Sequence, residues 1–438
     1  MPIGQGIGSV KFSRSSIKDR ASMSKLLVYF NGERAGVLEE GDSPVFTYDA
    51  EWLSRAFPLS RQLPLQAEPF SGRPVRAFFS GLLPEADPRE RIASILGISV
   101  SNEFAMLERI GGECAGAVGL IPDGTPEPVW SMGGIRWLDG VELEKIIEEL
   151  PKRPLLAGEA GLRLSLAGAQ AKLPIILSED SPEAKVGLPL GGSPSTHIVK
   201  PEPERFLGLA ANEAYCMELA RRIGLQVADS RWQMIGKTPC LVVKRYDRTM
   251  LNSGAVARIH QEDFCQALGY PPERKYEQEG GPSLRDCFSL LREWSSAPVL
   301  DIRNFLDGVA FGVLIGNADA HAKNFSILYG VNGRRLAPLY DQVCTLAWPE
   351  LSKSLSMKIG TAKILPEVSP EHFRQLSTEA RLSWPMVRHR LADLCEKMRA
   401  AIESMDSLPS HPPQSDISRA RELILQRVER GLRLLTVI

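Results

Sequence analysis

The chain changes character near residue 258. Before that point, short apolar runs broken by glycine, proline and Asn-Gly turns predict strands; beyond it, apolar residues recur at helical spacing. Ile302, Phe305, Leu306, Val309, Ala310, Val313 and Leu314 predict a strongly apolar helix ending at Gly316. With 438 residues, the chain exceeds one small core and implies two or three domains.

That helix delivers Gly316-Asn317-Ala318-Asp319-Ala320-His321-Ala322-Lys323-Asn324-Phe325-Ser326, followed by Leu336-Ala337-Pro338-Leu339-Tyr340-Asp341. An aspartate, an asparagine five residues later and a second aspartate after a short apolar segment give the residue order of a phosphoryl-transfer site. Asp319 can accept the proton of an attacking hydroxyl, while Asn324 and Asp341 can hold magnesium against nucleotide phosphates. A loop at the end of a buried helix has the rigid base such chemistry needs. The same residues also fit an ordinary polar turn, and spacing alone does not separate the two readings.

Charge excludes little. With 52 basic and 53 acidic residues the net charge is -1, which argues against a broad nucleic-acid-binding face on this chain alone. Seven scattered cysteines with no CxxC pair predict free thiols in a reducing cytoplasm. The histidines show no zinc spacing, and neither a signal peptide nor a membrane span is evident. Residues 1–22 lack apolar periodicity and read as a disordered leader.

Leu26 to Phe30, Asn31-Gly32 and Gly36 to Glu39 predict a hairpin, with Val45 to Tyr48 as a third strand. Phe79 is expected to open a helical region that includes Arg89 to Leu96 and Asn102 to Arg109. Gly111 to Val118 lacks the lysine and hydroxyl of a phosphate loop and reads as a tight helix-to-strand passage. A first domain over 23–122 and a linker over 122–134 follow. In Ser165-Leu-Ala167-Gly168-Ala169-Gln170-Ala171-Lys172, small residues can let backbone amides approach an anion, with Lys172 as a point charge; a tight hairpin fits equally.

Thr196 to Lys200 predicts a strand ending in lysine, either solvated or aimed into a cleft at inner phosphates. Asn212 to Ile223 predicts an amphipathic helix closed by Gly224, with Glu213 serving the helix dipole or orienting Lys200. Val227 to Ile235 and Cys240 to Tyr246 predict a hairpin whose polar end offers backbone groups to an adenine edge or simply reaches the surface. Arg258 to Gly269 reads as one short helix, 271–283 as a loop, and 369–404 and 416–435 as helical.

Five separate pieces point one way: 165–172, 196–200, Leu241 to Arg248, Arg258 to Asp263, and 316–326 with Tyr340-Asp341. Together they resemble the HipA family of bacterial serine/threonine kinases, the toxin halves of type II toxin–antitoxin pairs, over about 25–400. The resemblance implies an α+β, two-lobed protein-kinase-like fold with a mixed α/β N-lobe (135–257), a mainly helical C-lobe (258–438) and an additional small β-rich N-terminal domain. It makes Asp319 the catalytic base, Asn324 and Asp341 the magnesium ligands, and Lys200 the ATP-phosphate lysine. Residues 166 to 172 become the phosphate-covering loop, and Lys244, Arg245 and Tyr246 the adenine hinge. Ser165 matches the serine that family members autophosphorylate. His321 and Lys323 belong to the nucleotide-site motif, His321 without an assigned role.

The same resemblance implies ATP and Mg2+ as cofactors and an aminoacyl-tRNA synthetase, notably glutamyl-tRNA synthetase, as target. The implied partner is a dimeric helix-turn-helix HipB-like antitoxin that carries the kinase to operator DNA. Two departures stand out: Ala171 replaces a common glutamate before Lys172, and Lys244 stands where an acidic residue is common. The rival readings are a small-molecule kinase and a non-catalytic corepressor bridging antitoxin dimers.

Overall fold

The computed structural model describes residues 24–437 except 42, 55–56, 126–133 and 406–411. The leader expected at 1–22 and most of the linker expected at 122–134 lie outside the described residues.

Near the N-terminus, Lys25–Phe30 and Glu33–Glu39 pair antiparallel across Asn31 and Gly32, whose φ values of 50° and 85° suit a tight two-residue turn. Val45–Tyr48 and Phe70–Ser71 extend one edge of this five-stranded sheet, and Val118–Pro122 forms the other. Leu26, Val28 and Phe30 share a core with Phe78, Phe79 and Leu107 from the helices packed on them. Phe79 does not open a helix, as expected, but lies near the end of Arg73–Ser80; Pro74 supplies the preset φ of the first turn. The Gly111 to Val118 passage links the Glu103–Ile110 helix to the Val118–Pro122 strand.

A six-stranded antiparallel sheet follows, ordered Ser230–Ile235, Thr238–Lys244, His197–Pro201, Leu173–Leu177, Val186–Pro189 and Ile135–Trp137. Its Leu173, Ile175, Val199 and Val242 belong to the same apolar cluster as the N-terminal sheet, so these cores are continuous. Helix Leu209–Arg222 packs beside it, three residues longer at its start than its amphipathic pattern predicts.

The C-terminal half gathers Leu284–Trp294, Pro298–Ile315, Pro370–Glu379, Trp384–Met405 and Gln414–Val437 around a second core. The helix expected over Arg258 to Gly269 is two elements. His260–Asp263 is a strand paired with Ser326 to Tyr329, and only Phe264–Leu268 is helical. Four residues are too few for periodicity to separate strand from helix, and the ladder partner lies more than sixty residues on. Asp263 caps the short helix in a capping box, and Gly269 closes it at φ 76°. All seven cysteines are free and buried. Among the described residues no helix is long and apolar enough to cross a membrane.

Candidate active site

A cleft of about 710 Å³ runs between the six-stranded sheet and the C-terminal half, lined by Lys200, Glu213, Asp319, Asn324 and Asp341 among others. Lys200 ends its strand buried, and its Nζ donates to Glu213 Oε1 at 2.6 Å and pairs with Asp341 Oδ1. Burial disfavours the ammonium, but the Asp341 and Glu213 carboxylates outweigh it and raise its pKa. Burial pushes Glu213 upward, against the pull of Lys200. Burial opposes the charge of Asp341, yet Lys200 and Lys172 lower its pKa. Glu213 sits in the second helical turn and faces Lys200, rather than serving the first-turn dipole.

The Pro298–Ile315 helix ends at Gly316, whose φ of 83° lets its N–H reach Gly312 and Val313 carbonyls. The chain then enters Asn317, whose Oδ1 accepts from the Asp319 N–H at 3.0 Å. Asp319 is exposed in the cleft; its Oδ1 accepts from the Tyr276 hydroxyl at 3.1 Å and the Ser356 hydroxyl at 3.4 Å. Among the described residues, the buried Asn324 Oδ1 has no hydrogen-bond partner. Asp341 holds φ 53°, a conformation uncommon for a residue with a side chain.

That amide oxygen and the Asp341 carboxylate line the same cleft, and both suit a hard cation. Among the described residues no group of three or more His, Cys, Asp or Glu can hold a metal. Magnesium held partly by nucleotide phosphates needs no such group, so Asn324 and Asp341 fit it.

His321 is buried edge-on to the Tyr276 ring, with burial lowering its pKa to about 4. Lys323 is engaged by Asp263 at 2.7 Å and Glu85 at 3.7 Å. The 166–172 segment is a loop along the cleft, not a hairpin between paired strands. Gly168 adopts φ 109°, and Lys172 Nζ donates to the Ala167 carbonyl at 2.6 Å; a Cβ on Gly168 would sit 2.5 Å from that ammonium. Ala169 and Gln170 also line the cleft. Ser165 is fully buried, its hydroxyl donating to the Leu82 carbonyl at 2.7 Å.

Lys244, Arg245 and Tyr246 line the cleft, but two of their side chains are committed elsewhere. Lys244 pairs with Asp180 at 2.9 Å, and Arg245 with Asp247 and Glu113 at 2.7 and 3.2 Å. Tyr246 stacks on Tyr340 with centroids 5.8 Å apart.

Sequence reasoning missed three groups here. Glu85 reaches Lys275 and Lys323 from the N-terminal sheet unit, Tyr276 touches Asp319 from a segment read only as loop, and Glu113 gathers Arg245, Arg248 and Arg258. Each partner lies over forty residues away, so no local pattern marks it. The one available hint was a charged residue inside the glycine-rich 111–118 passage.

A lysine held by Glu213 and Asp341 across a two-lobed cleft that also holds Asp319 and Asn324 places the molecule in the protein-kinase-like class. The HipA N-terminal domain family model matches residues 26–121, and the HipA-like C-terminal domain model matches 164–402. The chain belongs to the HipA family. Protein Y4mE of Sinorhizobium fredii is 46% identical over 364 residues, covering 82% of this chain and 85% of that protein. The serine/threonine-protein kinase toxin HipA of Shewanella oneidensis is 32% identical over 323 residues, covering 71% of this chain and 72% of that protein. A solved Shewanella oneidensis MR-1 complex of HipA, HipB and operator DNA matches with a TM-score of 0.82 at 27% identity, covering 94% of this chain and 98% of that one.

Proposed function

We propose that this chain is an ATP-dependent serine/threonine protein kinase of the toxin–antitoxin type. One observation carries the reading: buried Lys200 is clamped between Glu213 and Asp341 in a cleft that also holds Asp319 and Asn324. Asp319 orients the acceptor hydroxyl and takes its proton, while Lys200 offsets charge on the transferring oxygens. Magnesium, when bound, would neutralise phosphate charge, and Asn324 and Asp341 are the residues that would hold it. The loop with Ala167, Gly168, Ala169, Gln170 and Lys172 covers the phosphates, Lys244 to Tyr246 form the hinge, and His321 and Lys323 complete the nucleotide site.

Asp319→Asn should keep ATP bound and reduce transfer by roughly 10²–10⁴-fold. Equilibrium binding of labelled ATP and γ-phosphate transfer measure both; a variant transferring at the parental rate sinks the assignment.

The finer reading adds an N-terminal domain at 23–122, lobes at 135–257 and 258–438, and a cytoplasmic location. It also adds an aminoacyl-tRNA synthetase such as glutamyl-tRNA synthetase as acceptor, and a HipB-like antitoxin dimer that takes the chain to operator DNA. The Shewanella complex supports the partner by analogy. Labelled-ATP transfer in a host lysate, followed by identification of the modified molecule, tests the acceptor; label confined to small molecules would favour a metabolic kinase.

Self-phosphorylation at Ser165 belongs to the same proposal. Modification must first break the bond to Leu82, and a phosphate carrying about -1.5 to -2 charges would then repel nucleotide phosphates. Phosphorylated protein should bind ATP more weakly than Ser165→Ala; equal affinities refute this.

A further inference from the structure

The N-terminal sheet unit reaches the cleft through Gly81, Leu82 and Glu85, and through Ala115 of the 111–118 passage. Glu85 is nearly buried, 11% exposed at its side chain, and its Oε2 accepts from Lys275 Nζ at 2.8 Å. Its Oε1 has no hydrogen bond among the described residues and lies 3.7 Å from Lys323 Nζ. Burial opposes its charge, but Lys323 and Lys275 prevail and lower its pKa. The backbone is tied as well, since the Glu85 N–H donates to the Gly168 carbonyl at 3.1 Å.

Lys275 is the first of three consecutive residues with divided tasks. It is held by Glu85, and its ammonium lies 5.3 Å from the Tyr276 ring centre. Tyr276 donates to Asp319 Oδ1 at 3.1 Å and packs on His321 with centroids 5.5 Å apart. Glu277 accepts from the Lys358 N–H at 2.7 Å and pairs with its Nζ at 3.0 Å. Lys358 lies on strand Ser354–Ile359, which also carries Ser356, the second donor to Asp319 Oδ1. The segment is thus anchored on both sides of the tyrosine.

We propose that Tyr276 is a positioning residue for Asp319, and that Glu85 of the N-terminal unit acts on the reaction through Lys275 and Tyr276. The inference rests on the reading of Asp319 as the base. With Oδ1 held by Tyr276 and Ser356, the carboxylate cannot swing freely, and its orientation toward an acceptor is set before the acceptor arrives. A freely rotating carboxylate spends less time in the productive geometry, so loss of the tyrosine donor lowers turnover and leaves ATP binding intact.

The test uses the full chain with magnesium and γ-labelled ATP, counting all γ-phosphate lost, whether to protein or to water, beside the Kd for ATP. Tyr276→Phe should slow transfer about tenfold with unchanged ATP Kd, and Glu85→Gln about threefold. The double variant should be no slower than Tyr276→Phe alone, because both changes cut one chain of contacts. Lys275→Gln, at a half-buried position, repeats the Glu85 effect should Glu85→Gln fail to fold. A Tyr276→Phe protein at or above the parental rate, weaker ATP binding in it, or a double variant slowed by the product of the single effects would overturn the proposal. Failure of the underlying reading would show differently, as undiminished transfer by Asp319→Asn.

Discussion

Two buried charge clusters flank the cleft, and they are built on opposite principles. Around Glu113, three guanidinium groups converge: Arg248 and Arg258 at 2.8 and 2.7 Å, and Arg245 at 3.2 Å. Asp247 joins from below with bonds to Arg245, Arg248 and the Gly116 N–H. Burial penalises Glu113, yet Arg248, Arg258 and Arg245 outweigh it and lower its pKa to about 2. Around Lys200 one directly paired cation meets two carboxylates, Glu213 and Asp341, with Lys172 acting on Asp341 from farther off, and an Asn324 amide oxygen without a hydrogen bond among the described residues lines the same cleft. The first cluster is nearly fully paired, with Arg248 Nε its one side-chain group lacking a hydrogen-bond partner among the described residues, and it ties the 111–118 passage to the strand ends near 245–258. The second retains acceptor capacity for a cation. Near-complete pairing suits assembly, and under the proposed function spare acceptor capacity suits chemistry.

The sharpest break of this contrast is Glu113→Gln. It leaves Arg245 and Arg248 sharing Asp247 and takes the Glu113 carboxylate from Arg258, and removing one partner of a buried ionic network costs about 3–5 kcal/mol. Urea unfolding measures it, and a loss below about 1 kcal/mol would show that the network is not closed. Asp341→Asn should do the converse. Transfer should fall roughly 10²–10³-fold, while Lys200 keeps Glu213 and the unfolding midpoint stays near the parental one. A large stability loss with residual transfer would mean that the two clusters do the same job.

How much of this was legible follows from how local each feature is. Asp319, Asn324 and Asp341 lie within 23 residues at the end of one apolar helix, so their order raised phosphoryl transfer beside an ordinary polar turn, and pieces elsewhere in the chain were needed to favour it. The Asn31-Gly32 hairpin was legible because its turn chemistry is contained in two residues. Lys200 was ambiguous, since a strand-end lysine reads the same whether solvated or clamped; its carboxylates come from 13 and 141 residues away. Glu85 and Tyr276 were invisible for the same reason, as single residues without a pattern around them, and Glu113 was hinted at only by its charge within a glycine-rich passage. The strand at His260–Asp263 was lost because its pairing partner, not its own composition, makes it a strand.

Glu262 sharpens the comparison at a smaller scale, as a buried carboxyl that has donors but no paired cation. Its oxygens accept from the Ser60 hydroxyl at 2.6 Å, the Arg61 N–H at 3.1 Å and the Tyr329 hydroxyl, so it joins the N-terminal unit to the C-terminal half. Burial raises its pKa to about 7, although these three donors pull the other way. The folded state therefore holds this proton more tightly than the unfolded chain does. Its contribution is full below the unfolded value near 4.5 and is lost as pH rises through about 7. The expected loss across that window is on the order of 2–3 kcal/mol, and Glu262→Gln, which keeps a carbonyl acceptor but cannot ionise, should remove that part of the slope. Urea midpoints at pH 5 and pH 8 decide it: a variant with the parental pH slope would mean that the three donors, rather than burial, set the charge on this carboxyl.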